Sequence, residues 1–192
     1  MDFEAYLRVL LSVWVGLGLG QLVQALHRLA RFKGRINWDW LPVIWATLAF
    51  LMFVQTWWAY FTILQVPIWT NLFAFLLPLT VFVILYLICA SALPDATKTA
   101  EGGSIDLRTF YMEQHKYFFA LWALLLALAV VVSIVSRDGL HLRGGDGFRV
   151  AGLLAALLLM RSPSRRLHAI VTVLSVTALV AYIILFTLRL AA

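Results

Sequence analysis

Charge is what this chain has least of. Only 12% of its 192 residues are Asp, Glu, Lys or Arg, against about 25% in ordinary globular domains. The apolar share is 64%, where about 45–50% is usual. A soluble domain of this size could not cover its surface with so few charges. Hydrocarbon as solvent removes the difficulty, because lipid-facing positions can stay apolar. Cysteine is nearly absent too. The single Cys89 excludes an intrachain disulfide and any zinc-binding spacing. It lies within an apolar run and reads as a small core residue.

The usual chemical motifs are also missing. There is no G-x-S-x-G nucleophile elbow. The Gly144-Gly145-Asp146-Gly147 turn lacks the Lys-Ser/Thr of a phosphate-binding loop and reads as a flexible loop. No H-x-x-x-H or H-x-x-E pairing occurs. No acidic or basic residue falls in the middle third of any long apolar run, which argues against proton-coupled carriers and voltage sensors. No TVGYG-like filter is present. The start, Met1-Asp2-Phe3-Glu4, is acidic. The apolar run after it outlasts the h-region of a signal peptide, so a retained first helix is expected.

What the chain does have is apolar length. A spanning helix needs about 20 mostly apolar residues. Six segments approach this: 6–26, 41–63, 70–93, 118–135, 148–160 and 169–188. The expectation is an all-α fold, a polytopic transmembrane helix bundle forming one transmembrane domain over 1–192. The fifth segment is short, at about 20 Å of helix against a hydrocarbon core of roughly 30 Å. It is read as a short span that thins the local bilayer, with a re-entrant segment as the other possibility. Pro94 closes the third segment, and Gly102-Gly103 breaks the chain after it. Helical spacing resumes at Ile105, with Ser104 or Asp106 as cap. The stretch to Lys116 is expected to form an interfacial helix before the fourth span, or to extend that span.

Lys and Arg set the expected orientation. The first, third and fifth connections carry ten of them, and the opposite side carries five. Basic residues thus cluster between apolar runs, so the formal charge of +6 points to topology and anionic headgroups rather than nucleic acid. The reading is a multi-pass protein of a bacterial cytoplasmic membrane with both termini outside. Trp38, Trp40, Trp45, Trp57, Trp58, Tyr60 and Trp69 read as interfacial belt residues.

Polar residues within spans usually face protein, pair with each other or line water. Ser12, Gly16, Gly20 and Gln24 recur every four residues and share one stripe of the first helix. Gly16 and Gly20 form a G-x-x-x-G pair that suits close helix packing. Gln21 and Gln24 sit at the inner half. Thr47, Gln55, Trp58 and Thr62 share a face of the second helix. Asn71 lies in the third helix near its outer end, and Pro78 lies in its interior. Thr172, Ser175, Tyr182 and Arg189 mark one side of the last. A pathway lined by helices one, two and six would use these residues. So would plain interhelical hydrogen bonding.

His27, His115 and His168 all fall at the expected cytoplasmic interface, with Asp39, Asp95 and Glu113 at similar depth. They are the weak candidates for a metal or acid–base site. No cofactor is expected. The run Gly16-Leu17-Gly18-Leu19-Gly20-Gln21-Leu22 leading to His27-Arg28, the Trp57-Trp58 pair, and Leu107-Arg108 with Tyr117-Phe118-Phe119 resemble uncharacterised bacterial membrane proteins of similar length. That resemblance implies six membrane helices and transfers no functional residue. Three functional readings follow. The first is a channel or transporter-like pathway for ions or small solutes, as a homo-oligomer among membrane lipids. The second is a non-catalytic sensor or scaffold binding a protein or lipid. The third is a lipid-modifying or metal-dependent enzyme.

Overall fold

The structure, a computed structural model, describes residues 3–63, 67–96, 103–136 and 144–187. Among these the chain forms six α-helices: α1 (Phe3–Ala30), α2 (Trp40–Ile63), α3 (Leu72–Ser91), α4 (Leu107–Val135), α5 (Gly144–Arg161) and α6 (Arg165–Tyr182). A 3-10 turn, Pro67–Thr70, precedes α3, and α6 runs on as a π-helical turn, Ile183–Thr187. Five of the helices are long and apolar enough to cross a membrane: α1 to α4, and α6 with its extension. The exception is α5, whose 18 residues include Asp146, Arg149 and Arg161.

The boundaries correct the sequence reading in two places and decide between its alternatives in a third. α5 begins at Gly144, so the glycine-rich stretch read as a flexible loop is its first turn. The helix is therefore about 27 Å long rather than about 20 Å, and it has no central break. The segment from Leu107 to Lys116 takes the second alternative, extension of the fourth span, over a separate interfacial helix. It is the first part of α4, whose 29 residues make about 43 Å of continuous helix. α3 starts at Leu72 rather than at residue 70, because Pro67–Thr70 is wound as a 3-10 turn.

The chain divides into two compact units, Met1–Gln114 and His115–Ala192. In the first unit α1 packs chiefly on α3 and also on α2. Trp14 of α1 meets Tyr86 of α3 edge-on at 6.1 Å. Phe82 of α3 takes Phe53 at 6.0 Å and Tyr60 at 5.1 Å from α2. α1 approaches α2 at Gly18, where an added Cβ would lie 2.2 Å from the Phe53 ring. The Trp57 indole N–H donates to Ser12 Oγ at 3.2 Å across the same pair. Phe53, Phe82, Leu85 and Ile88 are fully buried.

Two three-residue strands complete this unit. β1 (Arg35–Asn37) pairs in parallel with β2 (Ser104–Asp106), with Arg35 opposite Ser104 and Asn37 opposite Asp106. Strands this short give no periodicity for a sequence reading to detect. Ile36 and Ile105 point inward, the latter buried. The alternate positions carry Arg35, Asn37, Ser104 and Asp106. The ladder fastens the α1–α2 connection to the segment leading into α4, so the first and third connections meet at one end of the unit.

In the second unit α5 packs on α6. Gly152 of α5 lets Leu126 of α4 approach within 3.1 Å of its Cβ position. Phe119, Leu159, His168 and Thr172 are fully buried.

The aromatic residues divide between two roles. Trp38, Trp40 and Trp58 are exposed, as belt residues should be. Trp45, Tyr60 and Trp69 are buried instead, Trp69 completely. The correction has a simple cause: at a helix end an aromatic ring can fold onto neighbouring helices as readily as into headgroups, and rotation of the helix decides which.

Candidate functional site

Three polar clusters stand out against the apolar helices, one in the first unit and two in the second.

The first lies at the ladder. Asp39 is buried and caps α2, accepting the Leu41 amide at 2.9 Å. Asp106 caps α4, accepting from the Arg108 and Thr109 amides at 2.9 and 3.1 Å. Arg28, in the last turn of α1, reaches Asp95 after α3 at 3.4 Å. Both side chains of that pair are exposed, so it contributes under about 1 kcal/mol. Tyr111 is buried beside Trp45, whose indole N–H is within hydrogen-bonding reach of its hydroxyl. The acidic groups are thus drawn into caps and a pair, while Arg31, Lys33, Arg35 and Arg108 stay exposed.

Asp106 yields a testable consequence. The Thr109 amide, with help from the Arg108 amide and the Asn37 side chain, favours its ionised form and lowers its pKa from the ordinary carboxylate value. Its contribution to stability is therefore complete above the unfolded-state pKa. It is lost as pH falls through the lower folded value. Asp106→Ala is expected to lower the unfolding temperature at neutral pH, with the deficit shrinking as the solution is acidified. Thermal unfolding in detergent from neutral to strongly acid pH checks this, and a deficit that does not change with pH would refute it.

The second cluster joins His115 of α4 and His168 of α6, both buried, with ring centroids 5.6 Å apart and edge-to-face. Phe119 flanks His168 at 5.4 Å. His168 Nε2 lies 2.9 Å from the Ser162 carbonyl oxygen. A carbonyl only accepts, so Nε2 carries the proton. The Thr172 hydroxyl donates to the His168 carbonyl at 2.7 Å. His27, by contrast, is exposed on α1 in the first unit. Among the described residues no three His, Cys, Asp or Glu side chains converge as a metal-binding set.

The third cluster was not read from the sequence. Asp146, in the first turn of α5, is buried and accepts from Arg149 Nη1 at 2.7 Å and from Ser133 Oγ of α4 at 3.0 Å. The same guanidinium nitrogen donates to Ser133 Oγ at 2.9 Å. Tyr182 of α6 packs edge-on to Phe148 at 5.8 Å and lies 3.3 Å from the Cβ position of Gly145. The Asp146-x-x-Arg149 spacing on a helix was the available signal. Reading it required placing the start of α5 correctly.

The remaining sequence candidates are dispersed along the helices. Asn71 caps α3, accepting from the Phe73 amide at 2.9 Å and the Ala74 amide at 3.4 Å. Among the described residues Gly16 and Gly20 have nothing within 4 Å of their Cβ positions, and Gln24 on the same stripe is exposed. Gln21, Ser175 and Tyr182 are half-buried. Gln55 is half-buried in α2, and its Oε1 is shielded from solvent without a hydrogen-bond partner among the described residues. Thr62 and Arg189 lie outside the side chains described.

Five apolar helices of spanning length and composition are those of a multi-pass membrane protein. No family model, curated protein or solved structure matches the chain.

Proposed function

We propose that the protein is a non-catalytic membrane scaffold that recognises a partner at the membrane surface through the ladder end of its first unit. The observation that carries this reading is the parallel β1–β2 pairing. A chain built almost wholly of apolar helices nevertheless orders two polar connections against each other. Asp39 turns inward there as the cap of α2, Asp106 caps α4 without being buried, and basic side chains remain outside. In this reading the ladder end faces the cytoplasm of a bacterial cell and copies assemble as a homo-oligomer; with α5 crossing as a sixth, short span, both chain termini lie on the other side of the membrane. The Lys and Arg bias of the first and third connections supports that orientation.

A channel or transporter-like pathway is the second reading, and Gln55 favours it. A buried carbonyl oxygen without a partner costs about 1–3 kcal/mol, and water in a lumen would supply the missing donor. Flux through proteoliposomes separates the two. The scaffold reading expects no transport of ions or small solutes, with wild-type protein and Gln55→Leu alike. Transport that Gln55→Leu abolishes would establish the pathway instead.

A further inference from the structure

We infer that the ladder end binds anionic phospholipid headgroups, with Arg35 and Arg108 as the principal contacts and Arg31 and Lys33 beside them. The inference rests on the scaffold reading and names the surface's partner.

Three observations converge on it. The first is the way charge is divided. Arg31 follows α1, Lys33 and Arg35 lead into and open β1, and Arg108 lies in the first turn of α4, two residues past β2. All four are exposed. Of the acids on these segments, Asp39 is buried as the α2 cap, Asp95 is paired with Arg28 and Asp106 is held by the α4 amides and Asn37. Glu113 remains exposed but lies farther along α4. Among the described residues of this end, the five exposed bases Arg28, Arg31, Lys33, Arg35 and Arg108 outnumber Asp95, Asp106 and Glu113, the acids that are not buried, so its outward charge is basic.

The second observation is rigidity. Parallel pairing places Arg35 opposite Ser104, which ties the basic run after α1 to the segment that carries Arg108. A guanidinium presents paired donors that match phosphate oxygens, and an ordered backbone reduces what is lost when it binds.

The third observation selects the source of the phosphate. Trp38 and Trp40 follow β1 directly and are 59% and 42% exposed. Trp40 is also the first residue of the apolar α2. Exposed indoles where a spanning helix begins fit the headgroup layer, with the ring against acyl chains and the N–H toward polar groups. Free phosphate gives them no role. A phosphodiester on a lipid uses the cations and the indoles together.

The test uses the full chain in detergent and counts retained lipid by native mass spectrometry. The probes are phosphatidylglycerol and phosphatidylcholine, with inorganic phosphate as competitor. Phosphatidylglycerol is expected to be retained preferentially. Arg35→Gln/Arg108→Gln should weaken its binding by about tenfold or more, by the contribution expected of two interfacial cations. Arg35→Lys/Arg108→Lys keeps the charge and should restore most of the binding, which guards against a folding defect. Arg161→Gln removes an exposed arginine from α5 and should change little.

Equal retention of the two lipids would overturn the inference. So would an equal loss in Arg161→Gln, which would mean diffuse charge rather than this surface. Displacement by inorganic phosphate would overturn the commitment to a lipid. If lipid preference fails while proteoliposomes remain impermeable, the lipid site is wrong and the scaffold reading stands. If solute flux appears, the scaffold reading itself fails.

Discussion

Asp146→Ala is expected to destabilise the second unit by about 3–5 kcal/mol, the usual cost of removing one partner from a buried ion pair. Arg149 would keep its charge with its side chain only 25% exposed, while the carboxylate it meets at 2.7 Å would be gone. Ser133 Oγ, itself buried, would lose the acceptor it reaches at 3.0 Å. The negative charge in the first turn of α5 would vanish as well, and it is favourable beside the positive end of the helix dipole. Replacing both charged partners, as Asp146→Leu/Arg149→Met, should cost clearly less than Asp146→Ala alone, because no lone charge is left behind. Denaturant or thermal unfolding in micelles measures both variants. A single substitution within about 0.5 kcal/mol of wild type, the range of ordinary surface changes, would show that the pair does not fasten α4 to α5.

Gly18→Ala is the second large effect, and it should differ in sign from the same change at Gly16 or Gly20. At Gly18 the new methyl would fall 2.2 Å from Phe53 Cε2. That ring cannot swing away cheaply, since Phe53 is fully buried and packs on Phe82. Overpacking of this kind costs about 1–3 kcal/mol. At Gly16 and Gly20 no atom lies within 4 Å of the added carbon. There alanine should be neutral or stabilising, by up to about 1 kcal/mol of helix propensity. Unfolding temperatures of the three variants in one detergent give the comparison. A stability loss at Gly16→Ala or Gly20→Ala as large as at Gly18→Ala would contradict the packing described.

The glycines also show where a sequence reading stops. Gly16, Gly18 and Gly20 alternate along one run, and the four-residue spacing draws attention to the outer two. The ring of Phe53, 35 positions away, makes the middle one the close approach. Nothing local to α1 carries that information. The polar candidates behave in the same way. Asn71 was recognisable as a residue out of place in apolar sequence, and its role proved to be capping. Thr172 donates its hydroxyl to the His168 carbonyl within its own helix. His115 and His168 were grouped by depth, and they do meet. His27 was grouped with them on the same ground, yet it is an exposed residue of the first unit.

Sequence alone determined the class of protein and the approximate run of its helices. Both depend on sums over about 20 neighbouring residues, and such sums need no partner from elsewhere in the chain. It also marked the scarce polar residues, because the cost of polarity in hydrocarbon belongs to the residue itself. The tertiary structure decided which side of each helix turns inward. A helix apolar nearly all round has no distinct hydrophobic face, so its rotation is set by shape at contacts such as Gly18 with Phe53. It also decided the pairings that join distant segments: Arg35 with Ser104, Arg28 with Asp95, and Ser133 with Asp146 and Arg149. Each needs two stretches of chain to arrive at one place, and no local pattern in either stretch records the other.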